Sequence, residues 1–288
     1  MNIDGNSIAG KIFYDIAAEV REFIKKGLPP PHLAVILVGN NPASETYVNI
    51  KKKRATECGI DFTLLHLQED TPQEELIAKI RETSNNPAVD GLIVQVPLPK
   101  GLDEKKALQE ISPDKDVDGL HPLNIGRLVQ NEDSLLPCTP AGIIELIRST
   151  GRDLNGLNTV VVGRSNIVGK PVSLLLLKEN CTVTICHSRT KDLPGIIKKA
   201  DLLVAAIGRP EFIKGDWIKE GAIVIDVGTN RIEDKSREKG YRQVGDVEYR
   251  TASGRASYIT PSPGGVGPMT VAMLLKNTLK VYKEHRAL

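Results

Sequence analysis

Lys51 stands in the run YVNIKKKRA, residues 47–55, where three lysines and an arginine follow a tyrosine. Wound at about 3.6 residues per turn, residues 44–58 put Ser44, Tyr47, Val48, Lys51, Ala55 and Cys58 on one side, with Lys53 opposite and Lys52 and Arg54 flanking. The four cations therefore form no single phosphate stripe, and Lys52, Lys53 and Arg54 read as solvated charge. On its small and apolar face Lys51 either snorkels to water or occupies a cleft where burial lowers its pKa. In the second case it is a general base one turn from an aromatic stacking platform.

Two further stretches carry polar groups where ligands bind. The apolar run DGLIVQVPLP holds Gln95 as a lone amide near the carboxyl end of a strand, the end at which open α/β sheets place their ligands. A buried amide needs partners, so Gln95 serves either a structural hydrogen bond or a ligand. KDVDGLHP supplies Asp116 and Asp118 in a tight loop, where turn-forming aspartates are common, and residue type alone does not choose between them.

The stretch VVVGRSNIVGKP has two candidate chemistries. A Walker phosphate loop needs four residues between its glycines and a Ser or Thr after the lysine. Here five residues separate Gly163 from Gly169 and Pro171 follows Lys170, which excludes it. The G-x-G-x-x-G fingerprint is absent too, so the stretch is either a structural turn or a dinucleotide loop recognised by position. Gly163 closes an apolar strand, and a helix from Gly169 would direct its amides and positive dipole end at a pyrophosphate. The next strand ends at His187-Ser188-Arg189-Thr190, without the acid that an NAD site offers to the ribose 2′-hydroxyl. Hydroxyls with Arg189 there, and Arg164 in the first loop, suit a 2′-phosphate, hence NADP; as ordinary surface charges the same arginines would carry no such meaning.

The elements that would position these residues alternate along the chain: HLAVILVG, then the Lys51 helix; DFTLLHLQ, then TPQEELIAKIRETS; then DGLIVQVPLP. That is the βαβ rhythm of a parallel sheet. Thr71 is expected as N-cap of the second helix, with Pro72 at its first position and Glu74 completing a capping box. A Pro/Gly/Asn-rich stretch over 112–140 interrupts, and PCTPAGIIELIRST reads as a helix capped by Thr139. The alternation then resumes through NTVVVG, GKPVSLLLLKEN, CTVTICH, LPGIIKKA, DLLVAAIG, GDWIKEG and AIVIDVG, an open doubly wound sheet. The fold class is two-domain α/β, divided as 1–137 and 138–269, with a closing helix in 270–288 that could pack on either domain.

Composition bounds the partners. The 288 residues are 40% hydrophobic and 26% charged, enough for roughly two globular domains. With 38 Lys and Arg against 36 Asp and Glu, the formal charge of +2 draws neither nucleic acid nor an anionic membrane. No window approaches the roughly 18 to 20 apolar residues of a membrane span, and the N-terminus has no signal-peptide pattern. Cys58, Cys138, Cys181 and Cys186 form no C-x-x-C pair and the five histidines lack metal-ligand spacing, so reduced thiols, a cytoplasmic protein and no metal site are expected.

In order, YVNIKKKRA, VQVPLP, PDKDVDGLHPLNIGRL, PCTPAGI, VVGRSNIVGKP, DVGTN and PSPGGVGPMT closely resemble the bifunctional methylenetetrahydrofolate dehydrogenase/cyclohydrolase family over nearly the whole chain. The resemblance implies an N-terminal folate-site domain, a Rossmann-type NADP domain, a cleft between them, a homodimer, and a place in one-carbon metabolism that serves purine biosynthesis. It implies that Lys51 is the catalytic lysine, that Tyr47 stacks on the folate rings, that Gln95 hydrogen-bonds Lys51 to set its protonation state, and that Asp118, not Asp116, holds the pterin. Gly163, Arg164 and Ser165 would line the cofactor phosphates, Ser188 the 2′-phosphate, and the Thr229 backbone the nicotinamide side. Many relatives carry isoleucine at that last position, which matters little for a backbone contact. Pro263, Gly264 and Gly265 would form a close-packed backbone wall for the folate.

The expected activity is oxidation of 5,10-methylenetetrahydrofolate followed by hydrolysis to 10-formyltetrahydrofolate in one site. Competing readings are a monofunctional dehydrogenase of the same family, an NADP-dependent dehydrogenase of another small substrate such as the shikimate type, and a nucleic-acid module using the basic run. The Lys51, Gln95 and Asp118 trio argues against the first two. The 4% aromatic content and dispersed basic side chains argue against the third.

Overall fold

The computed structural model describes residues 1–237 and 240–288. In chain order the elements are α1 (Gly5–Lys25), β1 (His32–Val38), α2 (Pro42–Glu57), β2 (Asp61–Leu67), α3 (Gln73–Asn85), β3 (Gly91–Val94), α4 (Glu104–Gln109), α5 (Pro122–Val129), α6 (Cys138–Arg148), β4 (Asn158–Val162), α7 (Gly169–Lys178), β5 (Thr182–Cys186), α8 (Leu193–Ile197), β6 (Leu202–Ala205), a 3₁₀ turn (Gly215–Trp217), β7 (Ile223–Asp226), β8 (Asn230–Glu233), β9 (Tyr241–Val244), α9 (Tyr249–Ala252), β10 (Tyr258–Ile259) and α10 (Val266–His285). The chain divides into two compact units, Gly10–Cys138 with Val271–Leu288, and Met1–Ala9 with Thr139–Thr270.

The first unit is built on a parallel sheet ordered β2-β1-β3. HLAVILV takes the centre because a strand covered on both faces needs no polar alternation, and Leu33 to Val38 are all buried. Ala34, Ile36 and Val38 pack with Leu76 and Ile80 of α3 and with Leu92 and Val94 of β3. Truncating a fully buried residue such as Leu92 to alanine should cost about 2–5 kcal/mol. β3 ends at Val94, and Gln95 just beyond it still donates its N–H to the Ile36 carbonyl at 2.8 Å.

The second unit has five parallel strands ordered β10-β7-β6-β4-β5. This is the doubly wound order of a Rossmann sheet without its third strand, and the chain leaves β4 toward β5 on one side while β6 lies on the other. That switch point opens at the carboxyl ends of β4 and β6. Val160, Val162, Leu203, Ala205 and Val224 form the core with Ile197 and Ile218.

Several local expectations change. Thr71 does not cap α3: Pro72, with extended ψ of 151°, is the N-cap and makes no side-chain bond. The Thr71 N–H is already given to the Gln68 carbonyl, so no reciprocal bond from Glu74 can form, and Glu74 pairs with Lys106 at 3.5 Å. Thr139 does not cap α6, which starts at Cys138; its hydroxyl meets that of Thr270 at 2.9 Å. The last helix begins at Val266, ahead of the expected start, because Pro268 falls in the first turn, where no backbone donor is needed. The helix α1 and the hairpin strands β8 and β9 had no sequence expectation.

Candidate active site

α2 carries the first group of site residues. Asn41 starts it by accepting the N–H groups of Ala43 and Ser44, with Pro42 in the first turn. Ser44, Val48 and Ala55 are buried, which holds the same face inward at Lys51. Tyr47 is 47% exposed, leaving a ring face open for stacking. Lys52, Lys53 and Arg54 are exposed, and Lys53 and Arg54 pair with Glu57 at 4.0 and 2.7 Å.

Lys51 is half-buried, and its Nζ donates to Gln95 Oε1 at 2.9 Å. Gln95 Nε2 donates to the Val96 carbonyl at 2.7 Å, which fixes the amide orientation and turns its oxygen to the ammonium. Burial lowers the Lys51 pKa from its ordinary value, opposed by the negative charge of Asp118. The result is an amine made easier to deprotonate and held by one neutral acceptor.

The two aspartates of KDVDG take different roles. Asp116 is 3% exposed and accepts from the His121 N–H at 2.7 Å and from Asn124 Nδ2 at 3.1 Å, so it braces its own loop. Burial pushes it up to about 6, against those hydrogen bonds. Asp118 is half-buried and is the carboxylate whose charge acts on Lys51.

Sequence reasoning gave no role to Cys138 or Asn277, which the fold brings to this place. Cys138 donates its N–H to the Asp118 carbonyl at 3.2 Å and its thiol to the Val117 carbonyl at 3.2 Å. Burial, with the charge of Asp118, pushes that thiol well up. Asn277 Nδ2 reaches the carbonyls of Val117 and Leu136, both at 2.9 Å, tying the aspartate loop to α10. The PCTP motif flagged Cys138; nothing in the local pattern around Asn277 marks it.

The second unit holds the remaining candidates. Gly163 follows β4 with φ of 133°, and a Cβ there would overlap the Ala206 carbonyl oxygen. The backbone of the β4 turn thus lies against the turn after β6, as a close-approach dinucleotide loop requires. Arg164 and Ser165 are exposed in that turn. Ser165 Oγ accepts the N–H groups of Val168 and Gly169 at 3.2 and 3.3 Å, so the first α7 amide expected to face a pyrophosphate, and the one just before it, are occupied by the serine. The Gly163 N–H bonds to the Cys186 carbonyl at 2.9 Å, placing the His187 to Thr190 turn beside the loop, with Ser188 and Arg189 exposed and no acid between them. A glycine-backed turn with exposed cations and hydroxyls fits a phosphorylated dinucleotide. Thr229 is exposed after β7.

Pro263 is exposed and Gly264 half-buried. Gly265 is buried, and a Cβ on it would crowd the Pro261 carbonyl at 2.6 Å. A Cβ on Gly5 would in turn overlap the Gly265 carbonyl. Close packing of the unit's own backbone is therefore sufficient reason for glycine at Gly265. Among the described residues no group of three or more His, Cys, Asp or Glu side chains could hold a metal ion, and no helix is long and apolar enough to cross a membrane.

Two family models match the chain: tetrahydrofolate dehydrogenase/cyclohydrolase, catalytic domain, over residues 3–118, and its NAD(P)-binding domain over residues 137–286. "Bifunctional protein FolD 2" of Geobacter sulfurreducens is 53% identical over 281 residues, covering 98% of this chain and 96% of that one. The solved bifunctional methylenetetrahydrofolate dehydrogenase/cyclohydrolase of Campylobacter jejuni is 44% identical with a TM-score of 0.94, covering 99% of each chain. The Trypanosoma brucei enzyme, solved with NADP cofactor and an inhibitor, is 41% identical with a TM-score of 0.95, covering 100% of this chain and 99% of that one. With a lysine–amide pair in one unit, a glycine turn in the other and both family domains matched in sequence order, the chain belongs to the tetrahydrofolate dehydrogenase/cyclohydrolase family.

Proposed function

We propose that the protein oxidises 5,10-methylenetetrahydrofolate to 5,10-methenyltetrahydrofolate with NADP⁺ and hydrolyses the product to 10-formyltetrahydrofolate, both in one site. The observation that carries this reading is the Lys51–Gln95 hydrogen bond at 2.9 Å with the charge of Asp118 acting on the same ammonium. NADP, when bound, supplies the hydride acceptor. Gly163, Arg164 and Ser165 hold its phosphates and Ser188 its 2′-phosphate, with the Thr229 backbone on the nicotinamide side. Tyr47 stacks on the pterin, Asp118 accepts hydrogen bonds from it, and Pro263, Gly264 and Gly265 wall the substrate.

Removing hydride from the one-carbon bridge leaves a cation that the two flanking folate nitrogens stabilise, so orientation is the main demand and no acid is required. Hydrolysis differs. Water adds to the methenyl carbon and Lys51 takes one of its protons directly or through a second water; the adduct's hydroxyl then gives up its proton to form the formyl carbonyl as the carbon–N5 bond breaks and N5 gains a proton. The lowered pKa of Lys51 suits the first of these transfers.

The finer expectations follow from the same reading: a homodimer in the cytoplasm whose formyl product serves purine biosynthesis. The test is one progress curve with methylenetetrahydrofolate and NADP⁺, following NADPH, methenyl and formyl products together. NADPH with formyl product faster than spontaneous hydrolysis is the expected result. NADPH with accumulating methenyl product would leave a dehydrogenase alone, and no NADPH would remove both cofactor and substrate assignments.

A further inference from the structure

The turns after β6 and β7 are each tethered by a buried carboxylate for which the reaction above has no use. Asp246 is fully buried and accepts through Oδ2 from the N–H groups of Ile207 at 2.7 Å and Gly208 at 3.0 Å. Through Oδ1 it accepts from the Arg209 N–H at 2.9 Å and from the Asn230 side-chain amide at 2.8 Å. Three successive backbone donors converging on one carboxylate set the shape of the turn that follows β6. Ala206, whose carbonyl lies against Gly163, is the residue just before them.

Asp226 ends β7 at 4% exposure and accepts through Oδ1 from the N–H groups of Gly228 at 2.9 Å and Asp246 at 2.8 Å, and through Oδ2 from Val247 at 2.9 Å. Thr229 therefore lies between Gly228, held by Asp226, and Asn230, held by Asp246. Among the described residues neither carboxylate has a cationic partner within 4.0 Å. Burial, with a smaller push from Asp246, raises Asp226 to about 7. Two adjacent buried acids are a costly way to fill a core, and apolar residues of similar volume would be no less stable. What an apolar pair cannot do is receive five hydrogen bonds from the turns after β6 and β7, with two more from the Asp246 and Val247 N–H groups joining the acids' own segments.

We propose that Asp246 and Asp226 are positioning residues for the dehydrogenase step, holding the 206–209 and 227–230 turns in the shape that receives the dinucleotide. The inference rests on the cofactor reading given above. Asp246→Asn keeps the shape but turns a donor toward a backbone donor; Asn230→Ala, at a half-buried position, removes the amide's hydrogen bond to Asp246 and a longer one, at 3.3 Å, to the Gly245 carbonyl.

The test is calorimetric titration of NADP⁺ into the wild type and both variants, with KM for each substrate, nucleotide-free hydrolysis of methenyltetrahydrofolate, and thermal midpoints. The expected result is an NADP⁺ Kd raised about tenfold or more by Asp246→Asn and about threefold by Asn230→Ala, while KM for the folate and nucleotide-free hydrolysis stay within about twofold. An unchanged Kd in Asn230→Ala would overturn the proposal even if Asp246→Asn does not fold. A parallel loss of hydrolysis and cofactor binding would reduce the acids to scaffold and overturn it too. A wild type that binds no NADP⁺ would instead remove the cofactor reading itself, and with it this proposal.

Discussion

Replacing Gln95 by leucine isolates what the amide does to Lys51. The side chain is 9% exposed and leucine has a similar volume, so the main local change is the loss of an oxygen 2.9 Å from the ammonium. A hydrogen bond to a charged group contributes about 1.5–3 kcal/mol, and it favours the charged form. Its removal lowers the Lys51 pKa further, in the direction that burial already takes it. If neutral Lys51 is the base in hydrolysis, the rate climbs with pH through that pKa, and the acid limb in Gln95→Leu moves to lower pH. The assay is the initial rate of methenyltetrahydrofolate hydrolysis against pH, with the uncatalysed rate subtracted at each point. Lys51→Met should abolish the limb and cut the catalysed rate by about 10²- to 10⁴-fold. A limb that stays in place in Gln95→Leu, or survives in Lys51→Met, refutes the reasoning. The Val96 carbonyl also loses its donor in Gln95→Leu, and that cost appears in the thermal midpoint, where it cannot be mistaken for a shift of the limb.

Gly163→Ala sets a Cβ against the Ala206 carbonyl at a φ of 133°, which should strain the turn by about 1–3 kcal/mol and weaken NADP⁺ binding about tenfold or more; an unaltered titration would show that this backbone approach is not needed for the cofactor. Asp116, pushed up to about 6 from 3.8 by burial, binds its proton more tightly folded than unfolded. It contributes stability that is full below about pH 4 and lost as pH rises through about 6, roughly 3 kcal/mol in all. Urea unfolding of the wild type and Asp116→Asn should therefore show a stability difference that changes by roughly 2 kcal/mol between about pH 4.5 and 7.5, and parallel pH dependences would contradict it.

The sheets were legible in the chain because buried parallel strands are continuous apolar runs. HLAVILV and NTVVV need no knowledge of their neighbours to be read as strands, and their alternation with helical segments implies parallel pairing. The glycine turn at Gly163 was legible for a related reason, since a strand end followed by a helix start is a local pattern. Helix starts were less so. Thr71 and Thr139 have the right residue type for caps, but a hydroxyl caps only if the backbone beside it is free, and Pro72 and the early start of α6 decide otherwise. α1 went unread although Asp4 caps it, accepting from the N–H groups of Asn6 at 3.0 Å and Ser7 at 3.3 Å; its first turn carries no acid.

For the site, periodicity placed Lys51 on an inward face but left open whether it snorkels or titrates. Only tertiary structure decides that, because the pKa depends on burial and on Asp118, which no spacing rule brings to α2, and the ammonium's hydrogen-bond partner Gln95 lies 44 residues away. The choice between Asp116 and Asp118 has the same origin: both sit in one loop, and what separates them is that Asn124 and the His121 N–H claim the first. Asn277, Asp226 and Asp246 were invisible for the converse reason. Their partners lie far along the chain or in turns without a motif, and a single buried polar residue has no period to announce it. The chain by itself determined which segments bury and therefore which sheets form, since burial follows from local apolar pattern. Which polar groups face one another was decided only by the packed fold, because hydrogen bonds and pKa values depend on distances between segments that the sequence order does not encode.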